Sequence, residues 1–279
     1  MEDGIVGEVY GYRPHLRKKE RKRGRITRME VGNPGDALDG VYAYLYAEGD
    51  RRTAEWWLMS SPVWGYLLCA IYLFIIWGGK KVMMTREPFN IKYLVIVYNA
   101  TMVALNGYMA IVIAYNAFFV LGYGFRCNGV DYSDRGYGMA AVLWWFYFSK
   151  FIEFLDTIFF VARKKFHLVT FLHLYHHTTM PLLWWLAIRF TAGGECYLSA
   201  MINSCVHVIM YSYYGLRAAG YSVWWKKYLT QLQMAQFVFL MIHGAYGAIF
   251  DCKVFPNWMA YALVAYMISM LTLFLNFYL

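Results

Sequence analysis

Charged side chains are scarce in this sequence: Asp, Glu, Lys and Arg make up 15% of its 279 residues, against 60% hydrophobic. So little charge cannot solvate a soluble domain of this size, and the apolar residues come in runs long enough to cross a bilayer. A soluble globular class is excluded. Acidic residues are scarcer than basic ones, 17 against 26, yet this imbalance does not point to nucleic acid. Residues 1–55 carry 11 basic and 10 acidic side chains, while residues 56–279 carry 15 and 7. The excess lies in a few short loops, the pattern of positive-inside topology and of anionic ligands. No apolar h-region that would make a signal peptide occurs within residues 1–55, and no convincing internal repeat runs along the chain.

Residues 1–55 therefore read as a basic, flexible N-terminal tail with a dense charge block from Arg17 to Arg28. Residues 56–279 read as one membrane domain. Apolar segments at about 61–78, 91–121, 138–161, 168–188, 196–217, 227–249 and 257–279 predict an all-α polytopic membrane protein with seven transmembrane helices. Lys80, Lys81 and Arg86, then Arg163, Lys164 and Lys165, then Lys226 mark alternate loops as cytosolic. The N-terminus then lies on the opposite side and the C-terminus in the cytosol. Of five cysteines, Cys127 and Cys252 fall in loops assigned to the non-cytosolic side, where an oxidising lumen permits a disulfide.

Within these spans the polar residues are few and patterned. His173, His176 and His177 share one helical face at i, i+3 and i+4. An imidazole in an apolar helix must pair, bind metal or do chemistry. In the third span Lys150, Glu153 and Asp156 follow at i, i+3 and i+6; the bland reading is a structural ion-pair network facing the bundle interior. The fifth span carries Asn203, His207, Met210, Tyr211 and Tyr214 as a stripe, and the sixth carries Thr230, Gln233, Gln236 and His243. Asn99 and Asn106 add a polar face to the second. Together they describe a polar cavity enclosed by the second to seventh helices.

Three chemistries compete for such a cavity. His-x-x-His-His is similar to the clusters of membrane desaturases and hydroxylases, where histidines hold two irons. That site needs about eight ligands, mostly histidine, and the chain has seven histidines with no second cluster. A single-metal site from the box and His207 stays open, as does a transporter or receptor. The third is acyl transfer with histidine as base or nucleophile and Asn or Gln as donors to developing oxyanions.

The ordered set Lys150-x-x-Glu153-x-x-Asp156-Thr157, His173-x-x-His176-His177, His207-x-x-Met210-Tyr211-x-Tyr213-Tyr214 and Thr230-x-x-Gln233-x-x-Gln236 resembles the ELO family of very-long-chain fatty acid elongases. The likeness covers about residues 56–279. It implies helices 2–7 forming a six-helix inverted barrel around a substrate tunnel, with the first helix outside and a cytosolic CoA mouth. It implies an acyltransferase of the endoplasmic reticulum membrane. Long-chain acyl-CoA and malonyl-CoA would give a 3-oxoacyl-CoA two carbons longer, free CoA and carbon dioxide, with no metal or other cofactor. His176 is the implied nucleophile, forming an acyl-imidazole; His207 would serve malonyl-CoA, and His173, His177 and Asn203 would position the reacting groups. Arg163, Lys165 and Lys226 match family positions for the CoA phosphates, and Lys150, Thr230 and Gln233 for the CoA arm or thioester. Glu153, Asp156, Gln236 and Tyr211 are expected to form the supporting network. Membrane lipid, a second copy of the chain and the other enzymes of the elongation cycle are candidate partners. Phe239, Tyr246 and Tyr266 are expected to close the tunnel and limit chain length.

Overall fold

The computed structural model describes residues 49–250, 252 and 256–278, together with Gly40. Most of the expected tail, including the Arg17–Arg28 block, lies outside the described residues. The first helix, α1 (Pro62–Met84), begins where the Ser61 hydroxyl accepts the Val63 N–H at 3.3 Å and Pro62 fills the first turn, where a missing N–H costs nothing. It continues well past the expected end at residue 78. Gly79, Lys80 and Lys81 read as loop, but Gly79 packs closely on Val161 and Lys81 lies 3.7 Å over the Trp77 ring, suiting a cation to the last turn.

Next, α2 (Lys92–Tyr115) runs on through a π turn at Asn116–Val120. The expected third span is two helices, α3 (Tyr137–Ile152) and α4 (Phe154–Ala162), which meet at Glu153. A 3-10 turn at Phe166–Leu168 delays α5 (Phe171–Thr191). Then come α6 (Cys196–Ala219), α7 (Lys226–Ile249) and α8 (Asn257–Tyr278). Gly220 ends α6 at φ 110°, a left-handed conformation that costs glycine no Cβ clash. Among the described residues there is no strand.

Among the described residues, four stretches are long and apolar enough to cross a membrane: Pro62–Met84, Lys92–Val120, Tyr228–Ile249 and Asn257–Asn276. The chain is a multi-pass membrane protein. Helices α3 and α4, of 16 and 9 residues, are each too short to cross alone, and polar stripes interrupt α5 and α6. Helix α2 lies along α6, α7 along α8, and α3 on α5, while α1 contacts α4 and α5. Met109, Ile113, Met139, Leu143, Phe146 and Ile188 form a fully buried core. Phe74, Trp77, Val97 and Ile111 remain exposed, the arrangement a lipid-facing surface needs.

Residues 49–61 fold onto the end of the bundle where α5 finishes. The Asp50 N–H donates to Arg189 O at 2.6 Å, and Arg52 pairs with the Asp50 carboxylate at 2.7 Å while donating to Asp131 O and Ala192 O. Leu58 O accepts from Trp185 Nε1 at 3.1 Å. The last residues assigned to the tail thus join the packed domain, with Asp50 and Thr53 buried. At the same end Cys127 and Cys252 are joined by a disulfide, and Asn128 donates to Glu195 through its backbone N–H and side-chain amide. Losing a cross-link of 125 residues' separation costs about 2–5 kcal/mol. Cys127→Ser is therefore expected to melt well below the wild type in detergent, with reduced wild type matching it; equal midpoints would show that the bond adds no stability.

Candidate active site at the histidine box

The histidine box occupies the first turns of α5. Thr170 caps that helix by accepting the His173 N–H at 3.2 Å, which fixes the start of the turn carrying His173, His176 and His177. Pro181 lies inside the helix and has no N–H for the His177 carbonyl. Thr178 and Thr179 donate to Leu174 O at 2.8 Å and Tyr175 O at 2.6 Å. The imidazoles cluster as their spacing predicts, with His173 and His177 centroids 4.3 Å apart and His176 and His177 5.2 Å apart.

Beside them lies a buried charge pair. Lys150 Nζ donates to Glu153 Oε1 at 2.7 Å and to Asn203 Oδ1 at 3.3 Å, and sits 4.2 Å over the Phe146 ring. Both side chains are 1% exposed. His207 Nδ1 comes within 3.2 Å of the same Glu153 oxygen, out of line for a hydrogen bond. Asp156 accepts the Tyr211 hydroxyl at 2.8 Å.

Two cavities meet at this cluster. The larger, about 580 Å³, has Arg163, Lys165, Arg217 and Lys226 in its wall. The smaller, about 150 Å³, is walled mainly by apolar side chains of α5, α7 and α8, among them Met180, Leu183, Leu240 and Met267. His176, Asn203, Gln236 and Phe237 line both. Among the three box histidines only His176 stands at the junction, and among the described residues no hydrogen bond engages its ring. Glu195 and His243, 2.9 Å apart, lie at the disulfide end of the smaller cavity.

The basic wall is uncompensated. Among the described residues no carboxylate pairs with Arg163, Lys165, Arg217 or Lys226. Loss of water, and then the neighbouring Arg163 and Arg217 charges, lower the Lys165 pKa, so an anion bound there would relieve mutual repulsion.

Of the expected site residues, the larger cavity collects His173, His176, His177, His207, Asn203, Arg163, Lys165, Lys226, Thr230, Gln233, Gln236, Glu153, Asp156 and Tyr211. Lys150 lines neither cavity; it faces Glu153, Asn203 and Phe146 rather than the space expected for a CoA arm. Tyr266 lines the smaller cavity, but Phe239 is exposed and Tyr246 packs under Arg126, so neither closes the tunnel. Bulk gave no guide here, because a lipid-facing side of α7 is as aromatic as a core-facing one. Reasoning from sequence missed Arg217 and His167 in the larger wall and Glu195 in the smaller. It also missed Tyr72 of α1, whose hydroxyl reaches Thr157; the span holds two phenols, Tyr66 and Tyr72, and nothing in the sequence separates the exposed one from the buried one. No three His, Cys, Asp or Glu side chains come together as a metal-ligating group among the described residues. The box instead fans its rings along one helix face, with His173 Nε2 engaged by Thr157 at 2.7 Å.

Fold and site define a helical, multi-pass membrane protein with a histidine-lined internal cavity that is basic at one end and apolar at the other. Comparison with known sequences makes this specific: the chain belongs to the ELO (GNS1/SUR4) family, whose model matches residues 57–279. It is 46% identical over 246 residues to very long chain fatty acid elongase 4 of Mus musculus and of Homo sapiens, covering 85% of this chain and 77% of each relative. It is 43% identical over 241 residues to very long chain fatty acid elongase 7 of Rattus norvegicus, covering 83% and 85%.

Removing one member of the Lys150–Glu153 pair leaves a buried charge uncompensated, at a cost of roughly 3–5 kcal/mol. Lys150→Met and Glu153→Leu should each lower the melting temperature sharply, while the double variant recovers much of the loss. A double variant as unstable as the sum of the singles would show that the two charges do not act as a pair.

Proposed function

We propose that this protein is a condensing acyltransferase of fatty acid elongation, joining long-chain acyl-CoA to malonyl-CoA with release of CoA and carbon dioxide. The reading rests on family membership and on one observation: His176, with no hydrogen bond to its ring among the described residues, stands where a basic-walled polar cavity meets an apolar one. A long-chain thioester has that same polarity along its length, with anionic CoA at one end and a hydrocarbon chain at the other. Its carbonyl would fall at the junction.

In this scheme the unprotonated His176 nitrogen attacks the thioester carbonyl. A C–N bond forms, the C–S bond breaks, and CoA leaves as the thiol with the proton that the acylated imidazole loses from its other nitrogen. Malonyl-CoA then binds in the emptied CoA site and loses carbon dioxide. Its carbanion attacks the acyl carbon, forming the new C–C bond and returning the electron pair of the breaking C–N bond to His176, which regains its proton from solvent. Arg163, Lys165 and Lys226, joined by Arg217, bind the CoA phosphates; Thr230 and Gln233 hold its arm. His207, beside Glu153, orients malonyl-CoA for decarboxylation, and His173 and His177 set the box geometry. Because Lys150 occupies Asn203 Oδ1, the Asn203 Nδ2 is left as donor to the enolate oxygen. CoA thioesters are the substrates and no resident cofactor is needed.

The same reading makes the helical segments seven spans, counting α3 and α4 as one, with α2 to α8 as the six-helix inverted barrel. It places the protein in the endoplasmic reticulum membrane, with its N-terminus lumenal and C-terminus cytosolic, and with a second copy and the other elongation enzymes as partners. The test is intact mass after mixing with long-chain acyl-CoA alone. An acyl adduct with stoichiometric CoA release is expected for wild type and absent from His176→Ala; no adduct on folded wild type would remove the covalent route.

Chain length is assigned to the far end of the smaller cavity, where Trp258 and the Glu195–His243 pair lie. A methyl terminus pressed on that pair displaces water from it and offers no hydrogen bond in return. Trp258→Ala should shift products toward longer chains by about one two-carbon unit, since each methylene buried contributes about 0.8 kcal/mol. A product profile identical to wild type by gas chromatography would remove this end as the limit.

A further inference from the structure

No residue of α1 lines either cavity, yet α1 sends one polar group to the site. Tyr72 is 2% exposed, its ring stacked on Phe154 with centroids 4.2 Å apart. Its hydroxyl lies 2.7 Å from Thr157 Oγ1. Thr157, itself fully buried, lies 2.7 Å from His173 Nε2. One threonine oxygen therefore stands between a phenol and a box imidazole.

Counting protons orients the chain. A buried phenol must give its proton to an acceptor, and Thr157 is the hydrogen-bond partner of Tyr72 among the described residues. The Tyr72 proton thus points at Thr157 Oγ1. The single Thr157 proton is then directed to its other partner, His173 Nε2. A neutral imidazole that accepts at Nε2 carries its own proton at Nδ1. We infer that Tyr72, from the helix outside the cavities, is a positioning residue for the histidine box: acting through Thr157, it holds His173 in the Nδ1–H tautomer with Nε2 occupied.

The consequence falls on the neighbouring rings. His173 packs 4.3 Å from His177, which packs 5.2 Å from His176, so the proton position of one ring sets what its neighbours face. Without Tyr72 the Thr157 hydroxyl is free to turn to a backbone carbonyl of its own helix, and His173 gains a second tautomer. The geometry of the box then divides between two arrangements, of which one is productive. This inference rests on the reading of the box as the centre of the condensation.

The test has an arm that needs no activity. Histidine-15N-labelled protein in lipid, with His173 assigned by difference from His173→Asn, is read by solid-state NMR as wild type and Tyr72→Phe. Wild type should show His173 protonated at Nδ1, and Tyr72→Phe should show a mixture or the Nε2–H form. An Nε2–H form in wild type, or an unchanged distribution in the variant, would overturn the inference. In the kinetic arm, Tyr72→Phe should lower kcat for elongation by about tenfold with KM for acyl-CoA held within about twofold, because it touches no substrate. In a Thr157→Val background the same change should have no further effect, since its route is already cut. Additive losses, or a loss confined to KM, would assign Tyr72 to packing and overturn the inference. An Nδ1–H wild type that forms no acyl adduct would refute the covalent condensation and leave the relay standing.

Discussion

Everything in this molecule depends on the cost of leaving a charge or polar group uncompensated away from water. At membrane depth that cost exceeds most packing gains, so each buried polar side chain constrains its neighbours. Lys150 requires Glu153, and it draws Asn203 from α6 to α3. Asp156 requires Tyr211, which again joins the α3–α4 segment to α6. Thr157 is held between Tyr72 of α1 and His173 of α5. Within one short stretch, from Lys150 to Thr157, five helices (α1, α3, α4, α5 and α6) are tied together by polar contacts.

The same constraint shapes the cavities by being relaxed in one direction. Toward the loops at 162–167 and 218–226 the wall is basic and lacks carboxylate partners among the described residues. Toward the disulfide end it becomes mainly apolar, with Asn128, Thr191, Ser199 and the Glu195–His243 pair as the polar groups of that wall. A ligand with an anionic head and an apolar tail satisfies both walls, and neither half satisfies the other's. His176 marks the change between them.

The end of the bundle opposite the basic wall is held differently. There the devices are a disulfide, the Asp50–Arg52–Arg189 contacts and indole N–H groups donating to carbonyls of Trp57 and Leu58. Backbone of the segment before α1 is satisfied by side chains of α3 and α5, which lets a non-helical stretch pack without orphaned carbonyls. This stiffening lies at the Glu195–His243 end of the smaller cavity.

Much of this was legible in the residues themselves. Helical segments, the histidine face and the Lys150–Glu153 pairing all follow from local periodicity, because neighbours at i+3 and i+4 meet on any helix. So does the basic end of the larger cavity, since charge asymmetry in short loops is a property of composition. What sequence could not supply was which face of a helix meets which partner. Phe239 and Tyr246 point away from the cavity and Lys150 away from its open space, because lipid-facing and core-facing surfaces are equally apolar here and a cation's direction depends on where its counter-charge lies. Tyr72 acquires its meaning only when α1 docks on α4 and α5. Spacing along one chain determines which groups share a helix face; only tertiary packing decides which faces meet, because the contacts that distinguish them join residues far apart in sequence.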